Sequence, residues 1–425
     1  MILSVAEVSY GNLLRCSKGD SPIFAPRKSG QSPSRLLMSV RCLVALAAAA
    51  FVLAATVPAQ AEWSLTWLGP LGGDSGNSAY AVSADGSVVV GESTEGEYHI
   101  DYQPEAFRWT QADGMLGLDF LPGHAWSEAH DVSADGSVIV GYSQESIGED
   151  QYSGGEAFRW TEAGGMQGLA DPLVHDHSWA YGVSADGSVV VGYNRGIGEL
   201  NRTAFRWTEA EGMVDLELPA DPPGGEYSRA YAVSADGSTV VGYWGGPSPL
   251  ASQKPFRWTA SEGMVDLGLS GTAFDVSADG SVVVGEAWRS STLEAFLWTE
   301  AGGVVGLGFV PGSDNWSNAH AVSDDGSLVV GNSEFRAFLW DDVHGMRDLN
   351  DLLAADGVDL QGGVLHSAKD VSIDGQTIVL VGEGLAPDGS YQAWRAVIPE
   401  PSSLAALVSM ALVGLWVCIW RRRSL

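Results

Sequence analysis

The interior of this 425-residue chain lacks cysteine and has few basic residues. The three cysteines are Cys16, Cys42 and Cys418, so residues 62–401 form no internal disulfide and offer no thiol for catalysis. That interval holds 13 Lys and Arg against 51 Asp and Glu, a net charge of −38. Because nucleic-acid binding needs a basic surface, this balance argues against a nucleic-acid partner.

Catalytic signatures are also missing. The sequence contains no nucleophile elbow, no phosphate-binding loop and no H-E-x-x-H zinc motif. The only histidine cluster is His175-Asp176-His177, whose adjacent side chains rarely all reach one metal. We therefore expect no catalytic residue, no metal site and no cofactor. With 54 Gly and 16 Trp, the composition indicates many tight turns and a large aromatic core rather than disorder.

The N-terminal region has the pattern of a secretory signal. Residues 1–37 show no periodicity and are interpreted as an over-extended start or a leader. Residues 38–61 then give Arg41, the apolar run 43–57 and an A-x-A cleavage site formed by Ala59 and Ala61. We predict that a signal peptidase cleaves before Glu62, although a membrane anchor is the alternative.

The C-terminal region, residues 399–425, resembles a sorting tail. Pro399-Glu400-Pro401 precede an uncharged stretch over 404–420, which is just long enough to cross a membrane, and then Arg421, Arg422 and Arg423. This order resembles the PEP-CTERM tail, which implies an exosortase as processing partner and transient anchoring in the inner membrane. A plain C-terminal anchor is the alternative, and either one predicts a body at the cell surface or outside the cell.

Between these ends the sequence repeats seven times. The run V-S-x-D-G recurs at spacings of 43 to 51 residues, a period typical of propellers and solenoids. Its aspartates are Asp85, Asp135, Asp186, Asp236, Asp279, Asp325 and Asp374.

Each repeat is predicted to form four short strands, of the types A-Y-A-V-S, S-V-V-V-G, A-F-R-W-T and G-M-V-D-L-G. The last repeat lacks the fourth strand, and Leu65–Gly69 supply one at the start of the body. Such a permutation closes a ring and removes exposed edges. We therefore predict an all-β, seven-bladed propeller of four-stranded blades over residues 62–398, closed by an N-terminal strand in the outermost position of the last blade. Another all-β repeat fold is the alternative.

The three segments V-S-A-D-G-S-V-V-V-G, A-F-R-W-T and G-M-V-D-L-G, recurring in order over about residues 65–397, together resemble the HAF repeat of bacterial extracellular proteins. The resemblance implies an extracellular location and a repeat fold, and it implies no particular activity. The last repeat departs from the pattern, because residues 350–366 are inserted and Ile373 replaces Ala.

Most repeated polar and aromatic residues are predicted to be structural. The Asp-Gly aspartates should accept backbone N–H bonds in a primed hairpin turn. The repeated arginines Arg108, Arg159, Arg206 and Arg257 should pair with carboxylates inside each blade, with a polyanion-binding ring as the alternative. The tryptophans of A-F-R-W-T should pack between blades.

Aromatic residues outside the repeat positions are the candidate binding residues. Trp126, Trp179 and Trp316 belong to a pattern ending in S-x-A-[YH], with His130 and His320 as its last residue in two repeats; Trp244 and Trp288 also lie off the repeat. Aromatic rings among acids and amides on one propeller face suit stacking on sugar rings. Loops on a rigid scaffold are also where binding residues concentrate. Packing within the loops is the alternative.

Two functions from different classes follow. The first is a non-catalytic cell-surface or matrix protein that binds extracellular polysaccharide or another surface component. The second is a secreted propeller enzyme, a glycosidase or lyase acting on glycans, which requires carboxylates converging on the central channel. The fold alone does not decide between them.

The net charge of −38 on residues 62–401 also predicts a calcium effect on stability. Divalent cations bound to the folded state relieve repulsion among carboxylates. We expect the melting temperature to rise in millimolar calcium, measured against magnesium and chelator controls. A melting temperature that does not respond to calcium would contradict this expectation.

Overall fold

The computed structural model describes residues 62–72, 75–95, 103–146, 152–171, 173–197, 201–219, 227–246, 253–289, 291–375 and 377–399. Within them 28 strands form seven four-stranded antiparallel sheets. The predicted all-β, seven-bladed propeller is therefore confirmed. The cleavage residues Ala59 and Ala61, the stretch 404–420 and the tail residues Glu400, Pro401, Arg421, Arg422 and Arg423 lie outside the described residues, and Pro399 ends the last strand.

Blades 1 to 6 are each built from four consecutive strands, ordered from the centre of the ring outward. They are β2 (Gly76–Val82), β3 (Val88–Glu95), β4 (Gln103–Thr110), β5 (Gly114–Gly117); β6 (Trp126–Val132), β7 (Val138–Ser146), β8 (Tyr152–Thr161), β9 (Gly165–Gly168); β10 (His175–Val183), β11 (Val189–Gly196), β12 (Thr203–Thr208), β13 (Gly212–Asp215); β14 (Tyr227–Val233), β15 (Thr239–Gly245), β16 (Lys254–Thr259), β17 (Gly263–Asp266); β18 (Gly271–Val276), β19 (Val282–Arg289), β20 (Thr292–Thr299), β21 (Gly303–Gly308); and β22 (Ser317–Val322), β23 (Val329–Ser333), β24 (Arg336–Asp341), β25 (Gly345–Asp348).

Blade 7 closes the ring as predicted. It contains β26 (Val364–Ile373), β27 (Thr377–Leu385) and β28 (Tyr391–Pro399), and its outermost strand is β1 (Ser64–Trp67). In the register of this pair Trp67 lies opposite Trp394. The strand from the start of the body therefore occupies the place that the G-M strand takes in the other blades, which confirms the predicted blade phase.

The insertion before blade 7 contains a helix, α1 (Leu349–Ala355). The carboxylate of Asp348 caps its N-terminus by accepting the N–H of Asn350 at 2.9 Å. Leu349 and Leu353 are fully buried in the core between blades 6 and 7. The helix thus widens that core.

The hydrophobic core is divided among the joints between blades. Seven clusters of buried side chains are present, and each is built from two neighbouring blades, including blades 7 and 1. The phenylalanines of the A-F-R-W-T strands are fully buried, and the tryptophans beside them pack against these clusters. Packing of the repeat tryptophans between blades is therefore confirmed.

The Asp-Gly hairpin of each of the first six blades is held by one serine–aspartate arrangement. In blade 2 the Ser133 hydroxyl donates to Asp135 Oδ1 at 2.8 Å, and that oxygen also accepts the Ser137 N–H at 3.0 Å. The predicted role of the aspartate as an acceptor of backbone N–H is confirmed. The primed turn type is wrong, because only the glycine has a positive φ, +72° at Gly136. The turn is a type I turn followed by a left-handed glycine.

The same turns join each blade to the previous one. The N–H of Ala84 in blade 1 donates to the carbonyl of Ala134 in blade 2 at 3.1 Å, and equivalent bonds continue to blade 6. The repeated arginines add a second joint. Arg206 Nε donates to the carbonyl of Gly237 in the next blade at 3.4 Å, and its Nη1 lies 3.6 Å from Glu211 Oε2 in its own blade. The predicted carboxylate pairing is present here and at Arg257. It is wrong for Arg108 and Arg159, which have no carboxylate within 4 Å among the described residues, and Arg159 bonds only to the carbonyl of Gly187. The bond to the next blade was not predicted.

Two glycines of blade 4 allow the packing of the turn against its neighbour to be measured. The backbone φ is +72° at Gly237 and +70° at Gly263. A Cβ added at Gly237 would lie 2.5 Å from Val189 Cγ2 in blade 3, whereas a Cβ added at Gly263 would have no atom within 4 Å. Both alanine variants carry the backbone strain, and only Gly237→Ala also overpacks the joint.

We therefore expect Gly237→Ala to lower the free energy of unfolding by about 1–3 kcal/mol more than Gly263→Ala does, which is the usual cost of an inserted methyl group in a packed core. Urea denaturation of both variants measures this difference. Equal destabilisation would show that the turn does not pack tightly against blade 3.

Candidate aromatic face

The two ends of the propeller differ in composition. One end carries the two kinds of hairpin turn, and the other carries the connections from second to third strand and from outer to next inner strand; we call the latter the aromatic face. Trp126 begins β6, Trp179 lies in β10 and Trp316 directly precedes β22, all at this end. Trp288 lies one residue before the end of β19 there, whereas Trp244, at the same place in β15, is buried in the core between blades 3 and 4. The predicted gathering of the off-repeat tryptophans on one face is therefore present.

The S-x-A-[YH] pattern was assigned to loops, and this is wrong because it forms the start of the inner strands. Its serine is a buried joint between blades. Ser127 Oγ accepts the N–H of Ala106 in blade 1 at 2.9 Å, and Ser317 does the same for Ala295. The serine is thus structural, and in blade 1 Asn77 takes its place by accepting the N–H of Ala393 at 3.0 Å.

A ring of seven side chains surrounds the centre of the propeller at the end of this pattern. In every blade a β-bulge falls at the same inner-strand residue. The residues are Tyr80, His130, Tyr181, Tyr231, Phe274, His320 and Lys369. Neighbouring rings lie 4.7 to 5.9 Å apart from Tyr80 through to His320. The structure therefore places His130 and His320 in this central ring.

The two ring histidines are engaged by protein groups. His320 Nε2 lies 2.7 Å from Asn332 Oδ1, and burial, followed by the Lys369 ammonium, lowers the pKa of His320 to about 3. His130 stacks on Tyr80 and contacts Tyr181, and its Nε2 is buried 3.5 Å from a carboxylate oxygen of Glu128 without a hydrogen-bond partner among the described residues. Both histidines are thus parts of the packed centre.

Three aspartates follow the central ring by one residue, in blades 2, 5 and 7. Asp131 accepts the N–H of Val132 with one oxygen and the N–H of Val183 in blade 3 with the other, both at 2.7 Å. Asp275 and Asp370 make the same bridges to blades 6 and 1. Burial raises the pKa of Asp131 and of Asp275 to about 7, and burial and the other two carboxylates raise that of Asp370.

Glutamates at the mouth of the channel are also bound to protein groups. Tyr80 donates to Glu92 at 2.7 Å, and Lys369 lies 2.9 Å from Glu383. Burial raises the pKa of Glu286 to about 7. Within the described residues, no group of three or more His, Cys, Asp or Glu is arranged to hold a metal ion. Asp176, from the histidine cluster, accepts two hydrogen bonds from Arg195 at 3.0 and 3.1 Å.

Two aromatic patches lie outside the central ring. In blades 2 to 4, Trp179 stacks on Tyr193 with ring centres 4.6 Å apart and contacts Tyr142 at 6.2 Å. In blades 6 and 7, Trp316 contacts Phe335 at 5.8 Å, and the chain of contacts continues through His366 to Tyr391. Phe335 is 72% exposed. The second patch therefore presents rings to solvent.

Two arginines that the repeat pattern did not predict cover the first patch. Arg229 Cζ lies 4.6 Å from the ring centre of Tyr193 and 5.8 Å from that of Tyr243, while Arg202 Cζ lies 5.4 Å from Tyr193 and 5.9 Å from Trp179. One sequence position could have indicated this patch. It is the residue after V-V-V-G, which varies in an otherwise constant segment and is tyrosine in the blades that carry the patch. It is Glu92, Tyr142, Tyr193, Tyr243, Glu286, Asn332 and Glu383 from blade 1 to blade 7.

A groove of about 1010 Å³ lies on the opposite end, between blades 3 and 4. Its charged walls include Arg206 and Arg257, which are held by the turn carbonyls and glutamates described above. Because these residues recur at the other joints, we interpret this groove as part of the repeat architecture rather than as a ligand site.

No family model matches the sequence, and no curated protein matches it. Among solved structures it is similar to TolB from Acinetobacter baumannii, at 14% identity and a TM-score of 0.38 over 53% of this chain and 52% of that one. The chain thus spans about half the length of that protein. It is also similar to a putative TolB from Agrobacterium tumefaciens (14%, TM-score 0.40, 76% and 91%) and to an oligogalacturonate lyase in complex with manganese (12%, TM-score 0.47, 80% and 98%). Similarity at this level assigns no activity.

The buried aspartate bridge predicts a pH dependence of stability. A carboxyl whose pKa is raised in the folded state holds a proton that the unfolded chain has already released, so its contribution is complete below the ordinary pKa of about 4 and is lost as the pH rises through about 7. We expect the melting temperature of the wild type, relative to Asp131→Asn, to fall steadily between pH 4 and pH 8.

Asp135→Asn is the matched control in the same blade, because hydrogen bonds from Ser137 lower the pKa of Asp135. Its contribution is present above pH 4 and is lost only as the pH falls further, so its difference curve should be flat from pH 4 to pH 8. A flat curve for Asp131→Asn as well would refute the raised pKa.

Proposed function

We propose that this protein is a non-catalytic, exported repeat protein that binds extracellular polysaccharide on its aromatic face. The observation that carries the proposal is the gathering of Trp126, Trp179 and Trp316 on one end of a rigid propeller. Sugar rings present C–H faces that stack on aromatic rings, as apolar surfaces do in general. The exposed ring of Phe335 beside Trp316 supports this use of the face.

Export and sorting remain part of the proposal. The signal pattern before Glu62 and the PEP-CTERM-like tail from Pro399 both suggest delivery to the cell surface, with signal peptidase and exosortase as processing partners. Among the described residues no helix has both the length and the apolar character needed to cross a membrane. Mass spectrometry of the protein isolated from its producer determines whether each end is removed.

The glycan-degrading alternative gains no specific support. It requires carboxylates that are available near the centre, and those described there are engaged: Asp131 by two backbone N–H groups, Glu92 by Tyr80 and Glu383 by Lys369. Glu286, whose pKa burial raises to about 7, accepts a hydrogen bond from the Asn318 amide at 2.6 Å. Release of reducing ends or unsaturated sugars from a broad glycan panel would nevertheless replace the binding proposal with an enzymatic one.

The binding proposal is tested by retention on immobilised exopolysaccharide of the producing cell. We expect saturable retention of the purified protein and about tenfold weaker binding for Trp179→Ala and Trp316→Ala, because truncation of a central aromatic contact costs about 1–2 kcal/mol. Val343→Ala is the control, since Val343 is 78% exposed in a hairpin turn at the opposite end.

Thermal melting of each variant establishes that the propeller is intact. Passage of the wild type through the column without retention, both in calcium and in chelator, would exclude the proposal. Equal losses for all three variants would place binding elsewhere than on the aromatic face.

A further inference from the structure

Two arginines of neighbouring blades share one aromatic ring on the aromatic face. Arg202 and Arg229 place their guanidinium carbons 5.4 and 4.6 Å from the ring centre of Tyr193. We call this group, with Trp179 and Tyr243, the arginine cradle. Tyr193 and Tyr243 are each only 4% exposed, so the arginines form its outer layer above buried rings.

The backbones of both arginines are held by one joint. The N–H of Ser228, which directly precedes Arg229, donates to the carbonyl of Arg202 at 2.9 Å, and the Ser228 hydroxyl accepts the N–H of Ala204 at 2.9 Å. The two cations are therefore positioned by the same buried contact that joins blade 3 to blade 4. Such preorganisation reduces the entropy that a ligand must remove.

Four other cations on this face are paired with carboxylates, whereas Lys254, at the start of β16, has no such pair among the described residues. The pairs are Arg195–Asp176 at 3.0 Å, Arg289–Glu294 at 3.2 Å, Arg336–Asp348 at 3.5 Å and Lys369–Glu383 at 2.9 Å. Within the described part of the chain, neither Arg202 nor Arg229 lies within 4 Å of a carboxylate. Residues 62–401 contain 51 acids, so two adjacent cations without an acid partner among the described residues stand out.

The surroundings of the cradle favour an anion there and not elsewhere on the face. At the position after V-V-V-G, blades 1, 5 and 7 carry glutamate, whereas blades 3 and 4 carry Tyr193 and Tyr243. Arg229 Nε is buried without a hydrogen-bond partner among the described residues. Guanidinium groups bind carboxylates through paired N–H bonds, and two such groups side by side suit an anionic ligand.

We propose that the arginine cradle binds the carboxylates of an acidic polysaccharide, one that contains uronic acid residues. This inference rests on the proposed function and specifies the chemical class of its ligand. Arg202 and Arg229 pair with a carboxylate, and the exposed part of Trp179 contacts the sugar ring beside it. The net negative charge of the remaining surface then repels the polymer except at blades 3 and 4.

The test compares the native exopolysaccharide of the producing cell with the same material after chemical reduction of its carboxyl groups. We expect the wild type to be retained by the native polymer and to bind the reduced polymer at least about tenfold more weakly. Arg202→Gln and Arg229→Gln should each lose about tenfold on the native polymer. On the reduced polymer they should bind as the wild type does.

Arg289→Gln is the matched control, because this arginine lies on the same face and is paired with Glu294; its retention should be unchanged. Arg229→Lys keeps the charge without the planar fork and should bind at an intermediate level. Melting curves confirm that each variant is folded, and the comparison of the two polymers requires no variant at all.

The outcomes separate the two proposals. Equal retention on native and reduced polymer would overturn the cradle as a carboxylate site and leave polysaccharide binding intact. Unchanged binding by both glutamine variants would overturn it in the same way. No retention of the wild type on native polymer would overturn the proposed function and this inference together.

Discussion

The joint between neighbouring blades is the interaction on which the rest of this structure depends. A four-stranded blade exposes two apolar faces and cannot bury either one alone. Here each of the seven hydrophobic clusters contains side chains of two neighbouring blades, so a cluster is complete only when both of its blades are folded. Closure by β1 in blade 7 therefore completes the blade at which the ring would otherwise have an open edge.

The constant residues of the repeat are explained by this joint. The turn glycine has a positive φ and lies against the first valine of the previous blade, as Gly237 does against Val189. The arginine of A-F-R-W-T reaches the turn carbonyl of the next blade, as in Arg206 to Gly237. Most of what repeats is thus used to attach one blade to the next, which leaves the aromatic face free to differ from blade to blade.

The fold was largely predictable because its signals are local and repeated seven times. The Asp-Gly turns, the strand types and the missing fourth strand of the last repeat indicated the blade number and the closing strand, and they favoured the blade phase that the structure shows. The turn type was not predictable from Asp-Gly alone, since the dipeptide also occurs in type I turns followed by a left-handed glycine, the form that Asp135 and Gly136 adopt here. Likewise, the arginine bond to the next blade depends on a contact about 30 residues away in the chain.

The candidate site was predictable only in part. Its tryptophans stood out because they break the repeat, and the structure gathers them on one face. Arg202 and Arg229 did not stand out, because 27 residues separate them in the sequence and only the joint at Ser228 brings them to the same ring. The β-bulge that sets the place of His130 and His320 follows the same alanine in each inner strand, but the bulge itself was not predicted.

The distribution of charge explains why one part of the aromatic face can attract an anion while the rest of the surface repels it. A body with 13 basic and 51 acidic residues repels polyanions over most of its surface, and repulsion limits non-specific association. Against that background, two arginines held over buried tyrosines are a local reversal of sign rather than part of a basic surface. Selective binding of an acidic polymer at one point needs both elements: a repulsive surface that rejects general adsorption, and a fixed pair of cations that accepts one carboxylate.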